Sequence, residues 1–262
     1  MKRKNRLSVE IENVELIGIG EEKQELKYVQ DFLLRFGYLK DGFYKISVLD
    51  NNTSIALKKY QKFNNLELTG YFNEETRSLM KLPRCGVPDF KNEVSFSTMC
   101  KWDKLNLHYA IGNVTSDVSR ESAVQAIKNA FNSWENVSPF TFTEVSLNEN
   151  LDILIEWTET VSGDHNMRGG VVAHSDFPLG CSVMSNSLPL PIHFDTEHSW
   201  CIGAFVDQFD IESIAVHEIG HILGLAHSNV HGSIMYSNVS SNYIKRTLTQ
   251  DDILGIQSLY GS

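Results

Sequence analysis

Leu26, Val29, Phe32, Leu33 and Phe36 recur at three- and four-residue spacing and stop at Gly37, which predicts a helix with one apolar face. A second helix is expected from Asn52, where Ile55, Leu57, Tyr60 and Phe63 follow Thr53 or Ser54 as capping candidates. A third follows Asn73-Glu74-Glu75-Thr76 and carries Leu79 and Met80, with turns at 38–42 and 68–72 between the three. This pattern is that of a small helical domain. It ends at Pro83-Arg84-Cys85-Gly86-Val87-Pro88-Asp89, where two prolines and a glycine break all periodicity and predict an extended linker.

Beyond Asp89 the pattern is mixed. Leu105, Leu107, Tyr109 and Ile111 alternate as in a half-buried strand. Ala123, Ile127, Ala130, Phe131 and Trp134 then trace one face of a long helix ending near Pro139. Phe140, Phe142, Leu151–Trp157, Gly170–His174 and Ile192–Phe194 are further strand candidates. One helix is expected from about Ile211, and a last one from Thr249 to Tyr260, with Thr249 and Asp252 as a capping box and Gly261 as its terminator. The resulting expectation is an α+β chain in four parts: an N-terminal segment 1–24, a helical domain 25–82, a linker 83–89 and a mixed domain 90–262.

Composition narrows the function classes. A hydrophobic share of 42% suits a chain that buries a core, and a formal charge of −10 without a long basic block argues against nucleic acid as a partner. The one basic cluster, Lys2-Arg3-Lys4-Asn5-Arg6, reads as a solvated terminus. No stretch approaches the roughly 20 apolar residues of a membrane span. Glu10, Glu12 and Glu15 interrupt the run in which a secretory signal would have its apolar region, so no signal peptide is visible. Glycosylation sequons at Asn51, Asn52, Asn113, Asn136 and Asn238 lean slightly toward secretion.

The chemistry concentrates in His217-Glu218-Ile219-Gly220-His221-Ile222-Leu223-Gly224-Leu225-Ala226-His227. Residues four apart share a helix face, so His217 and His221 can offer imidazole nitrogens to one metal ion. Glu218 falls beside the metal but off the ligand face, as suits a general base. His227 cannot join on a straight helix, so the helix must end and turn back, and Gly224 is where a left-handed residue permits it. His-Glu-x-x-His alone occurs by chance as surface helix residues; the added glycine and third histidine make it specific. Met235, in Ser233-Ile234-Met235-Tyr236, follows His227 at the distance of a Met-turn.

These motifs, with Pro83–Asp89, resemble the matrix metalloproteinases (matrixins, of the metzincin clan) over about residues 25–262. The resemblance implies a three-helix propeptide similar to peptidoglycan-binding modules, a cysteine switch and a catalytic domain with a twisted mixed sheet. It implies a zinc metalloendopeptidase made as a latent zymogen, with a catalytic zinc on His217, His221 and His227. Cys85 would be the inhibitory thiolate ligand, Arg84 and Asp89 the ion pair holding the switch, and Met235 the residue beneath the ligands. Asp251 and Asp252 resemble the acidic residues that anchor the new N-terminus or the Met-turn. The departure is at Ser237, where a proline commonly follows the tyrosine. The architecture looks most like that of plant matrixins without a haemopexin domain. Protein or peptide substrates, an activating protease, a monomer and an extracellular or cell-wall setting follow from the same resemblance.

The family's second metal region is altered. His165, His174 and His193 match three ligands of a structural zinc, but Met167 stands where the fourth, an aspartate, is usual, leaving Asp164 as a substitute. Asp195 matches a calcium ligand, while His198 stands in place of a glutamate, and hard calcium prefers oxygen. Zinc is thus expected at one site and a second, with calcium at Asp195 a weaker expectation. With Cys85 reserved for the switch, a Cys181–Cys201 bridge is expected because the two bracket one loop-and-strand segment; free buried thiols are the alternative. Two other readings stand beside the enzyme: a zinc-binding relative with little or no activity, and a glycan-binding role for the helical domain.

Overall fold

The computed structural model describes residues 10–91, 94–95, 100–158 and 170–261. Three helices open it, α1 (Leu26–Arg35), α2 (Asn51–Phe63) and α3 (Glu74–Met80). The cap of α2 is Asp50, not Thr53 or Ser54: its extended backbone lets the carboxylate accept the Thr53 N–H, and Thr53 and Ser54 are instead buried inside the first turn. Asn73 caps α3 in the same way through the Thr76 N–H. Leu26, Val29, Leu33, Phe36, Leu57, Tyr60 and Phe72 form the core of this unit. Gly37 turns the chain after α1 at φ +83°, and a Cβ there would collide with the Phe90 carbonyl.

The second unit is built on a five-stranded sheet in the order β4-β3-β5-β7-β6. Ahead of it, β1 (Phe90–Lys91) and β2 (Val94–Ser95) pair as a short antiparallel ladder. Strands β3 (Asn106–Ile111), β4 (Thr141–Glu144), β5 (Ile153–Thr158) and β7 (Leu190–Asp195) pair in parallel, whereas β6 (Ala173–Ser175) runs antiparallel to β7 at the edge. Between β3 and β4 the chain forms α4 (Arg120–Glu135), which packs on α5 (Ile211–Ile222), with Trp134 Nε1 donating to the Val216 carbonyl at 2.8 Å. A parallel ladder of β8 (Trp200–Cys201) and β9 (Phe209–Asp210) leads into α5. The closing helix α6 (Gln250–Tyr260) has the expected Thr249–Asp252 capping box.

The cysteine pairing corrects the sequence expectation. Cys181 bonds to Cys100, with Cα atoms 5.7 Å apart, while Cys201 is a buried free thiol that donates to the Gly203 carbonyl. Proximity in sequence misled here. Cys201 lies in the β8–β9 ladder, whereas the Cys100 segment is drawn under the end of α5, where Trp102 Nε1 donates to the Ile222 carbonyl. Among the described residues, no helix is long and apolar enough to cross a membrane.

Candidate metal centre

Helix α5 is buried nearly all round, and its apolar residues hold it between α4 and the sheet. Its polar groups therefore need partners. His217 Nδ1 lies 2.7 Å from the Ile234 carbonyl, and His221 Nδ1 lies 2.7 Å from the Leu225 carbonyl. Those acceptors fix the proton on Nδ1 and leave each Nε2 lone pair free to point inward. Past α5, Gly224 adopts φ +96°, and a Cβ there would collide with the Cys100 carbonyl oxygen, so a side chain is excluded on both counts. The chain turns there as the spacing requires and brings back His227, whose Nε2 lies 3.2 Å from that of His221; His217 Nε2 is 3.1 Å away on the other side.

A fourth group completes the cluster from the linker. Cys85 Sγ lies 3.5 Å from His221 Nε2, and the ligand atoms of Cys85, His217, His221 and His227 all fall within 4.8 Å of one another. Three imidazoles and one thiol, all buried, make a donor set suited to tetrahedral zinc. Burial pushes the imidazoles toward the neutral form that a ligand needs; it also raises the Cys85 thiol, as does the neighbouring Glu218 carboxylate, so a cation would be required to hold the sulfur as thiolate. Burial likewise raises the Glu218 carboxyl to about 7, against the opposing hydrogen bonds from Ser175 and Cys85. Met235 is buried against Gly220, where any Cβ would strike its thioether. The turn bearing Met235 is anchored by Asp252, whose carboxylate accepts from Ser233 Oγ, Ile234 N and Met235 N.

The linker reaches this point as an inserted strand. On one side Arg84 N donates to the Gly170 carbonyl, Val172 N to the Arg84 carbonyl and Gly86 N to the Ala173 carbonyl, extending the β6 edge in parallel. On the other, Cys85 N donates to the Ser237 carbonyl and Val239 N to the Pro83 carbonyl. Gly86 is needed because a Cβ would press on Val171 and His174.

Arg84 and Asp89 form a fully buried ion pair at 2.7 Å, with the guanidinium stacked 3.6 Å over the Phe36 ring. The Asp89 carboxylate also accepts Tyr38 Oη at 2.6 Å and His227 Nδ1 at 2.7 Å. One linker carboxylate therefore ties the helical unit, the latch and a candidate ligand together. Burial alone would raise its pKa; the Arg84 charge and the His227 bond outweigh that and hold it well below the usual carboxylate range.

Of the second expected metal region, the described residues bring His174 and His193 together. His174 Nε2 lies 3.1 Å from His193 Nδ1, and burial lowers His193 to about 4. His165 and Asp164 lie outside the described residues. The Asp195 carboxylate accepts the Glu197 N–H at 3.0 Å, and His198 Nε2 stands 3.5 Å from it and 3.0 Å from the Val171 carbonyl. Nearby, Asp176 is fully buried and accepts the N–H groups of Phe177, Val183 and Ser185 and the Ser182 hydroxyl, which sets the shape of the loop. Sequence reasoning missed Tyr38, Ser175 and Asp176, since each acts through a partner that no local motif marks.

Comparisons with known proteins find relatives of both units. The Matrixin family profile matches residues 101–261, and that of a putative peptidoglycan binding domain matches residues 22–80. Neutrophil collagenase of Homo sapiens is 38% identical over 253 residues, covering 93% of this chain and 51% of that protein. Interstitial collagenase of Oryctolagus cuniculus is 37% identical over 92% of this chain and 50% of its own length, and stromelysin-2 of Rattus norvegicus 39% identical over 79% and 42%. The chain thus spans about half the length of the curated relatives it matches.

Proposed function

The chain belongs to the matrixin family, and from that premise we propose that it is a zinc-dependent endopeptidase held latent by Cys85. The observation that carries the reading is the convergence of Cys85 Sγ with the three inward Nε2 atoms, each imidazole fixed by an oxygen acceptor at Nδ1. His217, His221 and His227 would hold the ion, and Cys85 would take the position a reacting water needs. Zinc, when bound, polarises a scissile carbonyl and acidifies water. Glu218, whose carboxylate lies beside the ligand cluster, would accept the proton of the attacking water and return it to the leaving nitrogen.

The substrate would lie extended where the linker now lies, using the same donors and acceptors at 170–173 and 237–239. A cavity of about 300 Å³ beside His217, lined by Ile214, Tyr236, Val239 and Tyr243 and walled on one side by Leu79 and Leu82 of the helical unit, would open on activation to take one of its side chains. Residues 25–82 would act as propeptide, 83–89 as switch and 90–262 as catalytic domain. The contacts of Arg84 and Asp89 with Phe36 and Tyr38 favour a propeptide role over glycan binding. A monomer acting on proteins or peptides outside the cell, after cleavage by an activating protease, completes the reading.

A second zinc is proposed at His174 and His193, whose facing nitrogens already converge, with His165 and Asp164 as further ligands. Calcium at Asp195 is not carried forward, because a histidine nitrogen already faces that carboxylate. The test is a quenched peptide assay before and after removal of the propeptide. Cleavage that appears only on activation supports enzyme and latch together. Zinc-loaded, activated protein that cleaves no peptide would turn the assignment toward a binding protein.

A further inference from the structure

Ser175 ends the edge strand β6 and is fully buried against α5. Its Oγ lies 2.7 Å from Glu218 Oε2 and 3.0 Å from the Glu218 main-chain carbonyl. A hydroxyl has one proton to give, and the shorter contact is to the carboxylate. Among the described residues, the Glu218 carboxylate has one other side-chain donor, Cys85, whose sulfur lies 3.6 Å from the same oxygen. Removal of the linker takes that second donor away. Ser175 belongs to the sheet and stays.

We propose that Ser175 is a positioning residue for Glu218: its hydroxyl holds Oε2, the oxygen that faces the Cys85 sulfur, so the proton-accepting atom stays aimed at the point the sulfur leaves on activation. This rests on the peptidase reading above and adds to it a residue that the zinc motif does not contain. The geometry gives the bond its leverage. A Glu side chain has three rotatable bonds, and a carboxylate off its productive direction loses much of its effect as a base. Fixing one oxygen from the neighbouring strand removes that freedom. The hydroxyl cannot be replaced by water without opening the packed boundary between β6 and α5, where Ser175 has no measurable exposure.

The alternative is that Ser175 merely satisfies the Glu218 carbonyl, a structural role. Kinetics of the activated chain separate the two. In Ser175→Ala, kcat should fall about tenfold, a part of the 10²–10⁴-fold that a fully positioned acid–base group supplies. KM should stay within about twofold, since uniform binding is untouched. Zinc content should match wild type, and Ser175→Thr, which keeps the hydroxyl on a residue suited to a strand, should recover most of the loss. A crystal structure of the full-length Ser175→Ala chain should show the Glu218 carboxylate turned from its wild-type position by about 1 Å or more, a rotation consistent with a freed χ3. An unchanged kcat, a loss shared equally with KM, or an unmoved carboxylate overturns the proposal. Should activated wild type cleave no peptide, the peptidase reading fails, and the crystallographic displacement alone decides the role of Ser175.

Discussion

Two histidine-bearing regions of this molecule differ in how completely their polar atoms are turned toward a metal. Around α5, three imidazoles share one focus, each anchored at Nδ1, with a sulfur closing the fourth position. In the 170–198 region His174 and His193 face each other, and the neighbouring carboxylates are engaged by protein groups: Asp176 by backbone N–H donors, Asp195 by Glu197 N–H and His198. The first region gathers four ligand atoms at one point; in the second, the described residues bring two imidazole nitrogens together beside carboxylates that are already hydrogen-bonded. A donor set is read from where its second atoms are tied as much as from which residues it contains.

The largest effect should come from the first region. Glu218→Ala should reduce peptide cleavage by about 10²–10⁴-fold, the usual contribution of a positioned acid–base group, with zinc content unchanged. Peptidase assays with parallel metal analysis check this; retained turnover would remove Glu218 from the chemistry. Next is the latch. Asp89→Asn leaves the buried Arg84 charge uncompensated, and breaking a buried pair costs about 3–5 kcal/mol. The uncleaved variant should therefore show peptidase activity and faster alkylation of Cys85, where wild type shows neither. An Asp89→Asn chain as latent as wild type would assign inhibition to the thiol alone.

Covalent support differs between the regions as well. The Cys100–Cys181 bridge joins residues 81 apart in sequence and braces the loop that Asp176 shapes. Replacing both cysteines by serine should cost about 2–4 kcal/mol of stability, read from denaturant melts. A smaller pH effect follows from the buried imidazoles in the metal-stripped chain. Burial holds the candidate ligands below their ordinary pKa, and His193 at about 4. Between about pH 6.5 and 4 the unfolded chain then binds more protons than the folded one, so stability should fall as the pH is lowered through that window. Melting of the stripped chain across it, with His193→Gln for comparison, should give a flatter dependence in the variant.

How much of this was legible in the sequence follows the range of each contact. The i, i+4 histidines, the turn at Gly224 and the Thr249–Asp252 capping box were readable because helix geometry fixes them within one or two turns. The proline-flanked linker was legible as extended chain, though not its insertion between 170–173 and 237–239. Beyond what the family resemblance implied for Cys85 and Asp252, long-range features were not readable. Asp89 reaching Tyr38 and His227, Ser175 reaching Glu218, and Cys100 rather than Cys201 reaching Cys181 all depend on packing across the sheet. The expected Cys181–Cys201 bridge failed for that reason: it favoured the shorter loop, while the fold had already placed Cys201 in a ladder.

The finest test of the contrast is His198→Glu. His198 Nε2 stands 3.0 Å from the Val171 carbonyl and 3.5 Å from Asp195 Oδ2, so a nitrogen donor sits among oxygen acceptors. A glutamate there would surround the same point with two carboxylates and a carbonyl, an oxygen-rich set that calcium prefers and can complete with water. Without calcium the like charges should destabilise the variant relative to wild type. With free calcium at about ten times its dissociation constant, mass action returns about 1.4 kcal/mol, a shift of a few degrees in melting temperature for a unit of this size. Wild type should melt at the same temperature with and without calcium. A calcium-dependent rise in wild type would mean that the region coordinates the ion despite His198, and the distinction between a site arranged for metal and one held by hydrogen bonds would then have to be redrawn.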